Sequence, residues 1–123
     1  MSYKYFLNIA LLFINLNIVS QINFEAKLSK STLGVNERLR VEISINEDGD
    51  NFSPPEFKNF KVVGGPSQSI SQSWINGKES FSQSYTYIIK PLKKGEFLIP
   101  AASIKINEKR IKSKPIKVIV LDP

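Results

Sequence analysis

The side chains that could carry chemistry in this sequence are hydroxyls, carboxylates and lysines. The chain has 123 residues with no histidine and no cysteine, against 17 lysines and arginines and 11 aspartates and glutamates. These absences exclude Ser-His-Asp and Cys-His nucleophiles and all Cys/His zinc sites. Catalysis would need paired carboxylates, a Ser-Lys pair or tyrosine, and no spacing in the sequence isolates such a set. We therefore expect a non-enzymatic protein without a cofactor or a metal.

Two short motifs suggest ligand binding, and for both a plain turn is the simpler interpretation. VVGGPS at 62–67 has the glycines of a phosphate loop, but such loops need a helix after them, and here a proline and a serine-rich strand follow. NEDGDN at 46–51 has carboxylates around a glycine. It lacks the spacing and the bidentate glutamate of a calcium loop. We predict turn glycines in the first motif and an acidic turn in the second.

The hydroxyl residues are concentrated in SQSISQSWINGKESFSQSYTY, residues 67–87. Asn76-Gly77 predicts a two-residue type I′ hairpin turn, because that turn needs positive φ at both central positions. The period of two in a strand then places all the hydroxyls on one face. That face consists of Ser67, Ser69, Ser71, Ser73, Ser80, Ser82, Ser84 and Thr86. The opposite face carries Gln68, Ile70, Gln72, Trp74, Glu79, Phe81, Gln83 and Tyr85.

The hairpin supplies the first set of candidate interaction residues. The hydroxyl face is either a solvated outer face, which we favour, or a docking surface, since a flat polar face without lysine or glutamate lacks the usual protection against strand pairing. Trp74 is predicted to fold over the sheet with Phe81 and Tyr85. The alternative is an exposed anchor, because tryptophan is enriched at interface hot spots. The candidate residues are Ser69, Ser71, Trp74, Asn76, Gly77, Ser82 and Ser84.

The formal net charge is +6, and basic residues are in excess between positions 90 and 117. Lysines on exposed strand faces and sheet edges are the simpler explanation. The alternative is an acidic partner or a membrane surface, with Lys109, Arg110 and Lys112 as the candidate contact residues. A nucleic-acid-binding barrel would interleave aromatic and basic residues on one face. Here all the aromatics except Phe97 precede Lys90 and most of the basic excess follows it, so we expect no nucleic-acid partner.

Residues 1–20 are predicted to be a signal peptide. Lys4 precedes the apolar run YFLNIALLFINLNIV, which is followed by Ser20, and no acidic residue occurs before Glu25. The alternative is an uncleaved membrane anchor, but a membrane-spanning helix needs about 20 apolar residues and this run is shorter. Residues 21–123 would then be a single exported domain that has no disulfide and relies on its core.

The remainder of the chain predicts strands throughout. The cleanest alternation of apolar and polar residues is in RLRVEISIN. We predict a turn for STLGVNE and a loop for NEDGDNFSPPEF. We predict a short strand for FKVVGGPS, ending at GGP. About seven or eight strands predict an all-β, antiparallel immunoglobulin-like β-sandwich, with a small barrel as the alternative. The predicted core consists of Phe24, Leu28, Leu39, Val41, Ile43, Phe60, Val62, Tyr85, Tyr87, Ile89, Phe97, Ile99, Ile104, Ile106, Val118 and Val120.

Residues 52–107 are similar to a known family. PPEFKNFKVVGGPSQS, INGK and SYTYIIKPLKKGEFLIPAA occur in that order. Together they resemble the N-terminal immunoglobulin-like region of BatD-type oxygen-tolerance (aerotolerance) proteins of Bacteroidetes. The preceding FEAKLSKSTLGVNERLRVEISIN fits the first strands of that family. The resemblance therefore covers nearly all of residues 21–123.

The resemblance implies a non-enzymatic protein–protein interaction module in the periplasm or cell envelope, associated with the inner membrane. It implies a role in aerotolerance and envelope stress, in a complex with von Willebrand A-type and MoxR-type partners. Members continue into further β domains and a C-terminal membrane span, whereas this sequence stops at VLDP. A membrane tether is expected only where such a span follows. The alternative function is a secreted carbohydrate-binding or adhesin module, with an exposed platform of Trp74, Phe81 and Tyr85.

Overall fold

The computed structural model describes residues 21–123, which form ten β-strands and no helix. The predicted all-β fold is confirmed, with more strands than the about seven or eight expected from the turn spacing. The predicted signal peptide lies outside the described residues. The strands are β1 (Phe24–Leu28), β2 (Thr32–Gly34), β3 (Leu39–Ile45), β4 (Asp50–Ser53), β5 (Phe60–Ile75), β6 (Lys78–Pro91), β7 (Gly95–Ile99), β8 (Ser103–Ile106), β9 (Lys109–Lys112) and β10 (Ile116–Leu121).

The strands form three sheets, which pack as a sandwich. One sheet has four strands in the order β1-β3-β6-β5, and two have three, in the orders β2-β10-β7 and β4-β8-β9. The pairing of β2 with β10 is parallel, and the other pairings are antiparallel. Val41 and Tyr87 of the four-stranded sheet share a core cluster with Val118 of β10. Ile45 shares a second cluster with Ile104 of β8, so the large sheet packs against both small ones.

Most of the predicted core is confirmed. The buried members are Leu39, Val41, Ile43, Phe60, Tyr87, Ile89, Ile99, Ile104, Ile106, Val118 and Val120. Four more are half-buried against the main cluster: Phe24, Leu28, Tyr85 and Phe97. The prediction for Val62 is wrong. Val62 pairs with the buried Ile89, but it lies on the last strand of the sheet and its side chain is 42% exposed. The core also contains Leu33, Ile45 and Ala102, which were not predicted.

Two segments predicted to be a turn and a loop contain short strands. In STLGVNE, Leu33 is 3% exposed and lies opposite Val120 in the parallel pairing of β2 with β10. In NEDGDNFSPPEF, Phe52 of β4 stacks on Tyr85 with the ring centroids 3.8 Å apart. In each case one apolar side chain contacts a distant strand, and this burial outweighs the local preference for a turn.

β5 continues through GGP, where the sequence predicts its end. The register of β5 against β6 shifts between Val62 and Gly64 and again between Gly64 and Ser67, so the glycines form a bulge within the strand. Gly65 has φ +86°, and a Cβ at this position would collide with the carbonyl oxygen of Thr86. The close approach of two backbones, rather than a turn or a bound anion, therefore requires glycine here.

The matched pair Gly65→Ala and Gly77→Ala tests this requirement. Gly77 has a similar φ of +76°, but a Cβ there would meet nothing within 4 Å. Gly77→Ala should therefore cost only the conformational strain, about 1 kcal/mol. Gly65→Ala adds a backbone collision and should cost about 3 kcal/mol in the free energy of unfolding, measured by urea denaturation. Equal losses of unfolding free energy in the two variants would show that a Cβ beside the carbonyl oxygen of Thr86 adds no cost.

Candidate functional site

The hairpin formed by β5 and β6 has the predicted turn and register. Asn76 and Gly77 have φ values of 53° and 76°, as a type I′ turn requires. Ile75 lies opposite Lys78, and the register continues without a shift to Ser67 opposite Thr86. Hydroxyl residues therefore face hydroxyl residues across the two strands, as the period of two predicts.

The hairpin extends beyond the sheet to which it belongs. β3 pairs with β6 as far as Ile45 opposite Gln83. Past this pair, residues 71–82 form a two-stranded ribbon without a third strand among the described residues, and we call this segment the ribbon. Trp74 and Ile75, at its tip, are 68% and 66% exposed, and Ile70, at its base, is 62% exposed. The ribbon therefore presents large apolar side chains to solvent.

The prediction that Trp74 folds over the sheet with Tyr85 is wrong. Trp74 lies beyond the end of β3 and is exposed. Tyr85 instead stacks on Phe52 with an interplanar angle of 1°, and Phe81 is half-buried. One face of the Tyr85 ring is thus covered, so the exposed platform of three rings expected for a carbohydrate-binding module is not assembled.

The predicted hydroxyl residues share one face of the hairpin but differ in exposure. Ser69 and Ser71 of β5 are exposed, as is Ser82. Ser84 is half-buried because it lies between Ser44 of β3 and Ser69 of β5. A solvated outer face accounts for this pattern, and the docking role of these residues stays a prediction.

An open cleft separates the ribbon from the loop between β3 and β4. The cleft encloses about 360 Å³ and is lined by Asn46, Glu47, Asp48, Gln72, Glu79 and Phe81. The side-chain amide of Gln72 donates a hydrogen bond to the Glu79 carboxylate. Burial, and then the negative charge of Asp48, raise the pKa of the Tyr85 hydroxyl. Within residues 21–123, no group of three or more acidic side chains is placed to hold a metal ion.

The basic candidates belong to a different sheet. Lys109, Arg110 and Lys112 are exposed residues of β9, at the edge of the β4-β8-β9 sheet. The Arg110 guanidinium donates hydrogen bonds to Ser103 Oγ at 2.8 Å and to the Asn51 carbonyl oxygen at 3.2 Å. Arg110 therefore ties β9 to β8 and β4, whereas its two lysine neighbours extend the basic surface. The structure thus divides the predicted site residues between the hairpin and β9.

Gln83 is a residue of the ribbon's base that the sequence did not single out. It is 5% exposed and lies between Ile45 of β3 and Ile70 of β5. Its Nε2 donates a hydrogen bond to Tyr85 Oη at 2.7 Å. Its Oε1 is buried without a hydrogen-bond partner among the described residues. In the sequence, Gln83 has the same polar pattern as the exposed Gln68 and Gln72, so nothing local signals its burial.

Gln83→Leu should raise the free energy of unfolding by about 1 kcal/mol, because it replaces a buried acceptor that lacks a partner with an apolar group of similar size. Gln72→Leu is the matched control, since Gln72 lies on the same face but is exposed and should give no gain. Urea denaturation of both variants checks this. A loss of stability in Gln83→Leu would show that the hydrogen bond to Tyr85 outweighs the buried acceptor.

Residues 21–123 contain no helix with the length and apolar character needed to cross a bilayer.

A family model described as BatD DUF11 like domain matches residues 26–120 of the chain. The match begins within β1 and ends within β10, so it includes part or all of every strand described above. No curated protein matches the chain.

Proposed function

We propose a function for this chain on the premise that it belongs to the BatD family, whose model matches residues 26–120. Membership of this family supports an aerotolerance-type envelope protein. The domain is, in our proposal, a non-enzymatic interaction module exported to the periplasm or cell envelope. It binds a von Willebrand A-type protein there, within a complex that also includes a MoxR-type ATPase.

The observation that carries this proposal is the exposed tip of the ribbon. Single exposed apolar side chains are normal on protein surfaces, but Trp74 and Ile75 are adjacent and both about two-thirds exposed. Tryptophan gives a large apolar area at low conformational cost, which is why it is frequent at the centre of interfaces. The tip therefore has the composition of a binding hot spot.

The geometry of the tip indicates the shape of the partner's surface. Trp74 and Ile75 are consecutive residues of β5, so their side chains point to opposite faces of the ribbon. A partner that buries both must contact both faces, which a groove does and a flat surface does not. The type I′ turn at Asn76-Gly77 holds the two strands in a fixed register, which lowers the entropy lost on binding.

Charge adds a second contribution to this proposal. The net charge of +6 and the exposed lysines of β9 favour an acidic partner surface. Such charges mainly raise the rate of association, while the buried apolar anchor determines how slowly the complex dissociates. We therefore assign slow dissociation to Trp74 and Ile75 and fast association to the basic residues.

The test is capture of von Willebrand A-type proteins from an envelope extract on the immobilised chain, quantified by mass spectrometry. The double variant Trp74→Ser/Ile75→Ser should retain at least about tenfold less of them, as expected for the loss of a hot spot. Leu98→Ser is the matched control, because Leu98 is 61% exposed on β7, outside the hairpin, and should capture normally.

Two results would contradict the proposal. The first is equal capture of von Willebrand A-type proteins by the tip variant and by the Leu98 control, which would place the binding surface elsewhere. The second is a folded chain that captures neither von Willebrand A-type nor MoxR-type proteins. Circular dichroism of each immobilised variant before capture establishes that the comparison is between folded proteins.

A further inference from the structure

Among residues 21–123, no strand pairs with the outer edge of β5, which is long and carries no charge beyond Lys61. β5 has 16 residues and is the last strand of the four-stranded sheet. From Val62 to Ile75 it carries no charged side chain. The other edge of the same sheet, β1, carries Glu25 and Lys27. Charged side chains on an edge strand oppose pairing with another chain, and the outer edge of β5 lacks them.

The turn determines which backbone groups of β5 point to this edge. Ile75 and Lys78 flank a two-residue turn and are therefore a hydrogen-bonded pair. Because the pattern alternates, Ser73, Ser71 and Ser69 also direct their N–H and C=O groups toward β6. The residues between them direct these groups outward, where no strand of residues 21–123 bonds them: Gln68, Ile70, Gln72 and Trp74.

The sequence of this edge is symmetric. Residues 67–73 are SQSISQS, which is the same in both directions with Ile70 at its centre. When two identical strands pair antiparallel about Ile70, serine faces serine, glutamine faces glutamine and Ile70 faces its own copy. Two-fold symmetric association needs a surface that is complementary to itself, and a palindromic strand meets this condition residue by residue.

We propose that the edge of β5 binds a second copy of this chain, with the two β5 strands antiparallel and a two-fold axis at Ile70. Gln68 then lies opposite Gln72 of the second copy. Ile70 with its copy and the two symmetric Gln68–Gln72 pairs would exchange about six hydrogen bonds, at two bonds a pair. The dimer joins the two four-stranded sheets into one continuous sheet.

The uncharged edge and the position of Pro66 are compatible with this occupant. Two molecules with a net charge of +6 repel each other, but the paired segments carry no charge, so like charges do not face each other across the new pairing. Trp74 lies opposite Pro66 of the second copy, which has no N–H to donate, so the ladder ends there. An interface of one strand per copy is small, so dimerisation should depend on protein concentration.

This inference does not depend on the proposed function, because it concerns another partner and rests on the backbone edge centred on Ile70 rather than on the side chains of the tip, although Trp74 borders both surfaces. It is tested by sedimentation equilibrium of the full chain over a range of concentrations. The wild type should dimerise. Ile70→Lys and Ile70→Glu each place two like charges at the axis and should each weaken dimerisation by at least about tenfold. An equal mixture of the two variants places opposite charges there and should recover dimers.

Leu98→Lys is the matched control, because Leu98 and Ile70 are 61% and 62% exposed, and it should dimerise as the wild type does. A wild type that stays monomeric at every concentration would overturn the proposal and leave this edge to a strand of a different protein. Dimers that persist in both Ile70 variants, or a mixture that does not recover, would also overturn it. Recovery in the mixture shows in addition that both variants are folded.

Discussion

The pairing of β5 with β6 is the constraint on which the four-stranded sheet depends. The Asn76-Gly77 turn fixes which residues face each other, β6 then pairs with β3, and β3 pairs with β1. If β6 slipped by one residue against β3, Tyr87 and Ile89 would move from the core to solvent, because strand side chains alternate between faces. These side chains are 5% and 0% exposed, so their burial and the turn support the same register.

The same pairing is longer than the sheet that it supports, and this difference in length creates the exposed surfaces. β3 ends at Ile45, opposite Gln83, while β5 and β6 continue to their turn. Gln83 is buried at this boundary, and Trp74 is exposed beyond it. The tip with its apolar side chains and the uncharged edge of β5 therefore have one structural origin. The tip suits a groove on a different protein, and the edge suits a second copy of this chain.

Local pattern predicted the parts of the fold that depend on neighbouring residues. The turn, the hairpin register and the alternating burial of β3 follow from Asn-Gly chemistry and a period of two. It could not predict the exposure of Trp74, which depends on where β3 ends, or that of Val62, which lies on the edge strand of the sheet. Leu33 entered the core through a parallel pairing with β10, far away in sequence. The candidate residues of the hairpin were found from the turn motif and the period of two, and those of β9 from the local excess of basic residues, whereas the edge of β5 could be identified only from the strand order.

Residue-resolved amide hydrogen exchange along β5, at low and high protein concentration, tests the open, self-complementary edge most directly. Ser69, Ser71 and Ser73 should be protected at both concentrations, because their amides bond β6. The amides of Ile70 and Gln72 should exchange freely at low concentration and become protected at high concentration, when a second copy covers them. Exchange of Ile70 and Gln72 at one unchanged rate, or unprotected serines between them, would contradict this arrangement.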